Sequence, residues 1–172
     1  MSLLALFALL SGPVQDEKDP NLESLRTVWK TIIDQANADK VDDIKAALVA
    51  MKITKEEFTT LFGEEKTTAA YPRYEKFWKD LEQEGPADMV KRIKENKYDN
   101  VQVWRIDAAD PKSVSGNEKN VMDSLANKET KVYSVRLVTG TESKGFMLVC
   151  FFKIGDNWRA GFKVGRMLVG GN

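Results

Sequence analysis

Arg105, Arg136, Arg159 and Lys163 fall on C-terminal segments whose apolar and polar residues alternate as in β-strands. Cations gathered on one sheet face can clamp a carboxylate or phosphate through paired, charge-assisted hydrogen bonds. Trp104 joins them as a candidate ligand contact, as a pocket wall if the core is incomplete. The competing reading is a solvated face whose long stems cover apolar surface. The carboxylates offer a second chemistry. Asp42-Asp43, Glu56-Glu57 and Glu64-Glu65 stand beside lysines on helical segments and read as solvated, because acid–base pairs must be held apart and desolvated. A pocket base would have to come from Asp107, Asp110 or Asp123, with a Tyr or Arg to hold developing charge.

Other chemistries are removed by composition. The chain has no histidine, so Ser-His and Cys-His nucleophile arrangements are absent. Its single cysteine, Cys150, excludes an internal disulfide and a cysteine-rich metal site. Cys150 lies in the most apolar segment and reads as a buried, inert thiol, since a reactive one needs exposure and nearby positive charge. A metal would need oxygen ligands, and no EF-hand spacing is present; no metal and no cofactor are expected. Gly161, Gly165, Gly170 and Gly171 lack phosphate-loop spacing, and the first two read as a bend or close packing in a last strand. Twenty-six basic residues balance 26 acidic ones, which argues against a nucleic-acid binder.

The elements that must position these residues are helical first. Asp19 caps a helix over Pro20–Asn37 with Leu22, Leu25, Trp29, Ile32, Ile33 and Ala36 on one face. A second helix covers about Val41–Met51. Thr54 and Glu57 form a capping box, with Ile53 and Phe58 at the staple positions and Gly63 as the stop. Two further helices are expected, one from Tyr71-Pro72 through Leu81 and one from Gly85-Pro86 to about Lys97. Trp29, Tyr74, Phe77, Trp78 and Trp104 read as core; Tyr71, Tyr74, Trp78 or Trp104 would wall a pocket if that core were incomplete. From Asp99 the period changes to two. A strand at 101–106, a polar loop at 107–116 and a short helix capped by Asn117 lead to three strands: Lys131–Thr139, Gly145–Ile154 and Trp158–Leu168. Gly155-Asp156-Asn157 turns the last hairpin. Parity places Tyr133, Val135 and Leu137 on one face, with Ser134, Arg136, Arg159 and Lys163 on the other.

The expected fold class is therefore α+β, with N-terminal helices packed on a C-terminal four-stranded antiparallel sheet: strand, helix, then a three-strand meander. Residues 16–172 form one domain, helical over 16–98 and sheet over 99–172. Residues 1–15 carry no charged side chain, and the apolar run Leu3–Leu10 ends at Ser11-Gly12-Pro13. The run is shaped like the core of a secretory signal peptide and is too short to cross a bilayer. The alternative is a short helix packed on the domain. Export, periplasmic or extracellular, follows from the first reading and a cytoplasmic location from the second. No membrane span is expected in the mature chain.

The order strand, helix, three antiparallel strands, closing on Lys153-Ile154-Gly155-Asp156-Asn157-Trp158-Arg159, resembles the NTF2-like (SnoaL-like, cystatin-like cone) superfamily over residues 99–168. The resemblance implies a curved sheet wrapped around helices with an apolar pocket between them. Its members include enzymes, carriers and interaction modules, so fold alone does not choose among them. The expected function is a non-catalytic binding or interaction module. Its ligand would be small and apolar or anionic, or its partner a protein. One alternative is a small NTF2-like isomerase, dehydratase or hydrolase using a pocket carboxylate. Another is a structural protein that self-associates, as a homodimer, through its sheet.

Overall fold

The computed structural model describes residues 19–106 and 115–170. The apolar run at 3–10 and the loop carrying Asp107 and Asp110 lie outside the described residues. The fold is α+β, with helices packed on an open four-stranded antiparallel sheet of order β1-β2-β3-β4.

The first helix, α1 (Pro20–Asn37), starts where expected. The Asp19 side chain accepts the Asn21 N–H, and Pro20 occupies the first turn, where a missing N–H costs nothing. The apolar stripe from Leu22 to Ala36 is buried and crosses the sheet. The helix α2 (Val41–Ala50) turns at Met51–Ile53 into α3 (Lys55–Phe62), whose Thr54/Glu57 capping box is complete.

One 33-residue helix, α4 (Glu64–Asn96), replaces the two helices expected on either side of Gly85-Pro86, and it begins before Tyr71. Pro72 and Pro86 both lie inside it. An interior proline costs a helix about 3 kcal/mol. Tertiary burial offsets that cost: Tyr74, Trp78, Met89, Val90 and Ile93 all enter the core from this helix.

The strand β1 (Asn100–Arg105) is followed, after the undescribed loop, by α5 (Gly116–Ser124). Its cap is Ser115, not Asn117. The Ser115 side chain accepts the Glu118 N–H, and Glu118 returns a carboxylate oxygen to the Ser115 N–H. The meander comprises β2 (Tyr133–Val138), β3 (Gly145–Ile154) and β4 (Asn157–Ala160). The tight turn Gly155-Asp156 joins the last two, with Gly155 at φ 56°. The last strand stops at Ala160, not Leu168. Gly161 lies so close to the Cys150 carbonyl and the Phe152 ring that a side chain would collide. Lys163 then takes a left-handed conformation (φ 59°), and the chain enters α6 (Val164–Leu168). Gly165 does serve close packing, but inside α6, where its Cα side abuts the Asn117 carbonyl of α5.

The two sheet faces are covered differently. Toward α1 lie Val101, Val103, Val135, Leu137, Phe151 and Trp158. Trp29 meets Phe151 edge-on, and the Trp158 indole donates to the Ser24 hydroxyl. The second face meets α3 through Phe62 on Phe152, and α5 through Glu118, which accepts the Ser134 hydroxyl at 2.5 Å. The end of β3 is thus apolar on both sides because helices lie on both. Cys150 is the extra residue of a β-bulge between the Tyr133↔Phe151 and Ser134↔Val149 pairs. It has φ 68° and no exposure, and burial pushes its thiol pKa up.

Both ends of the sheet are tied to helices. The Tyr133 hydroxyl donates to Asp19 Oδ2 (2.9 Å) and accepts from Asn21 Nδ2 (3.1 Å), fixing the start of α1. At β4, the Tyr74 hydroxyl accepts the Ile53 N–H (2.8 Å) and donates to the Ala160 carbonyl (3.0 Å). The Ala160 N–H in turn donates to Met51 C=O at 2.8 Å. The α2–α3 corner therefore lies against the end of β4 and satisfies both backbone groups of Ala160.

Candidate functional site

The cations singled out from the sequence are spread over the sheet. Arg136 and Trp104 are brought together on the second face, with the guanidinium 5.3 Å from the indole centre. Arg136 also donates to the Ser143 carbonyl at 2.6 Å. Trp104 is 9% exposed, so it contributes mainly to packing. Arg105 falls on the opposite face, paired in register with Tyr133, where its charge reaches the phenol. Lys163 lies in the turn before α6 with its amine 5.0 Å from the Phe77 ring. Of the proposed bases, Asp123 is exposed and ion-paired with Lys119.

Arg159 is the one member of the set that reaches a sizeable cleft. From β4 its Nε donates to both Glu57 carboxylate oxygens (2.9 and 2.8 Å), and Nη1 donates to the Ala50 carbonyl (2.6 Å). Both side chains are largely sheltered, at 15% and 19% exposure, so the pair is only partly screened by solvent. Burial alone would raise the Glu57 pKa; the guanidinium and the Thr54 N–H outweigh it and hold the carboxyl below its ordinary value. Glu57 therefore caps α3 and anchors β4 at once.

The cleft holds about 890 Å3 between the α2–α3 corner, the start of α3 and the first half of α4. Lys52, Thr54, Lys55 and Glu56 form one wall, Thr68, Tyr71, Pro72 and Glu75 the other, with Val49 at the rim and Arg159 at its base. Val49 is one of the few large apolar side chains left exposed. The Tyr71 ring packs on Phe58 and Tyr74, which fixes its orientation. Burial, then the nearby Glu75, Glu56 and Glu57 carboxylates, raises the Tyr71 pKa. Pro72 supplies no N–H, so the Thr68 carbonyl loses its partner four residues on. Both residues are exposed on this wall, where that carbonyl is open to water or to a donor.

Sequence reasoning named Tyr71 as a wall residue, read Glu57 as solvated where it is in fact sheltered against Arg159, and missed Thr68 and Pro72. A proline inside a helical segment was the signal for the freed carbonyl. For Glu57 there was none, because its partner lies 102 residues away.

A pH dependence follows. In Asp19, burial is outweighed by the Asn21 N–H, the Tyr133 hydroxyl and Lys131, so its pKa also lies below the ordinary value, which is 3.8 against 4.5 for Glu57. A depressed carboxyl pKa contributes stability that is present above the ordinary value and lost as pH falls through the folded one. Urea midpoints at constant ionic strength should hold from about pH 7 to about pH 5, then fall, first through the Glu57 range and then through that of Asp19. Arg159→Gln should flatten the first part of the fall and leave the second.

Compared with protein-family models, with curated proteins and with solved structures, the chain matches none significantly.

Proposed function

We propose that this domain is a non-catalytic binding or interaction module and that the cleft beside α4 is its ligand surface. The observation that carries the reading is the exposure and pairing of the carboxylates in and beside the cleft: Glu56 is exposed, and Glu57 is bonded to Arg159. A general acid or base working near neutral pH needs a pKa drawn toward neutrality. Glu56, in the cleft wall, is exposed and held below its ordinary value by the α3 backbone and Thr54, and Glu57, behind the lining, is held below its own by Arg159 and the Thr54 N–H. The cleft offers a fixed aromatic ring, an exposed valine, a freed carbonyl and two lysines. That combination suits a small ligand with an apolar body against Tyr71 and Val49 and an anionic end toward Lys52 and Lys55.

The alternative, an NTF2-like enzyme with a pocket carboxylate, has less support. Asp123 faces solvent, and the space between α1, α4 and the sheet is filled by Trp29, Trp78, Phe151 and Phe162. The NTF2-like resemblance itself rests on the strand order and the Gly155–Arg159 hairpin. Export is part of the proposal through the apolar run at 3–10 alone, and the intact mass of the natural protein tests it.

Benzoate and benzylamine are matched probes of the cleft, compared by amide chemical shifts of the 15N-labelled chain. Benzoate should shift Ile53, Thr54, Thr68 and Tyr71, and benzylamine should do so more weakly. Shifts confined to other regions, or none, overturn the assignment. Turnover of an aromatic ester or amide that Arg159→Gln abolishes overturns the non-catalytic reading.

A further inference from the structure

We propose that the ligand of the cleft is a zwitterion: a free α-amino acid with a large apolar side chain, its ammonium held on α4 and its carboxylate on the opposite wall. The inference rests on the reading of the cleft as a ligand surface and names the class of that ligand.

The α4 wall is one helical stripe. Thr68, Tyr71, Pro72 and Glu75 are spaced so that all of them share one face. Helix carbonyls point toward the C-terminus, where each meets the N–H four residues on. Pro72 has no N–H to give, so the Thr68 carbonyl reaches the level of Tyr71 and Pro72 unmet by the ladder. Side chains on a helix lean the other way, toward its N-terminus. Glu75 therefore leans back to that same level. Burial first, and then the Glu75 charge, raises the Tyr71 pKa, as expected of a carboxylate close to the phenol. A carbonyl and a carboxylate thus converge beside one aromatic ring. The set is rich in acceptors with a π face next to it. It fits an ammonium, which only donates and which aromatic faces attract. Among the described residues, no protein cation forms an ion pair with Glu75.

The facing wall has the opposite sign. Lys52 and Lys55 line it, and neither has an ion pair among the described residues. Glu56 stands beside them, but its own N–H and the Thr54 hydroxyl occupy its carboxylate and hold its pKa down. Flexible four-carbon stems let both lysines lean over the cleft to a carboxylate. Arg159 is already bonded to Glu57 and to the Ala50 carbonyl, so it closes the base. An α-amino acid carries both charges on one carbon and leaves its side chain free to lie against Tyr71 and Val49. A plain carboxylate would leave the α4 acceptors to water, and a plain amine would leave the lysines so.

The test compares L-phenylalanine with N-acetyl-L-phenylalanine, which has no ammonium, with L-phenylalanine amide, which has no carboxylate, and with benzoate. Each is titrated into the full 15N-labelled chain and followed by amide shifts. Phenylalanine should shift Thr54, Thr68 and Tyr71 and bind about tenfold tighter than either blocked form. Pro72→Ala supplies an N–H that occupies the Thr68 carbonyl, and alanine favours the helix. Glu75→Gln removes the charge at nearly constant size. Each variant should cut the preference for phenylalanine over its N-acetyl form about threefold or more. Benzoate binding in the cleft, with either blocked form as tight as phenylalanine, overturns the zwitterion and leaves the ligand surface standing. So does a preference that either variant leaves unchanged. If none of these compounds shifts the cleft at millimolar concentration, both readings fall.

Discussion

Tyr74→Phe is expected to lower the unfolding free energy by about 3 kcal/mol, although it deletes a single oxygen from a side chain in van der Waals contact throughout. That oxygen accepts the Ile53 N–H and donates to the Ala160 carbonyl. Tyr74, Ile53 and Ala160 are all fully buried, so neither orphaned group can turn to water. Each buried polar group left unsatisfied costs about 1–3 kcal/mol. Burial, the first cause, pushes the Tyr74 pKa far above the ordinary phenol value, so the hydroxyl keeps its proton and remains a donor throughout the neutral range. Tyr71→Phe is the comparison: its half-buried hydroxyl faces the cleft, and the change should stay within about 0.5 kcal/mol. Urea denaturation of both variants measures the difference, and near-equal midpoints would show that the corner is not held by this hydroxyl.

Trp29→Ala is expected to cost about 3–5 kcal/mol, the range for deleting a fully buried large aromatic. Trp29 has no exposure and stands edge-on to Phe151, with ring centres 5.7 Å apart, where α1 meets the sheet. Among the described residues, no hydrogen-bond partner meets its indole nitrogen. Part of what tryptophan gains by burial is therefore already spent on a desolvated N–H. Trp29→Phe removes that N–H together with some volume, so it should cost far less than Trp29→Ala, about 1 kcal/mol. Equal losses in the two variants would point to a hidden partner for the indole.

The helical half was legible wherever the signal was local. Asp19, the Thr54/Glu57 box and the stripe from Leu22 to Ala36 each lie within a few turns of what they specify. α4 was misread because Tyr71-Pro72 is a local start signal and Gly85-Pro86 a local break, and burial of Tyr74, Trp78 and Ile93 overrides both. The Ser115/Glu118 box was present in the sequence but passed over for Asn117. β4 was drawn too long because Trp158, Ala160, Phe162 and Val164 keep a two-residue period, while the helical spacing of Val164, Met167 and Leu168 is too short a stretch to oppose it. The left-handed Lys163 that separates the two states has no composition signal. The cleft was invisible for a different reason. Its walls are mostly exposed residues, which carry no periodicity, and its base depends on Arg159 meeting Glu57 from the far end of the chain.

The seal along β4 also fixes how far the sheet can grow. An assembly that propagates strand by strand needs two reactive borders on every unit, one to receive and one to offer. Here Met51 and Tyr74 have consumed one border from within the same chain. A filament built on pairing at β4 would first have to pull the α2–α3 corner away from Ala160.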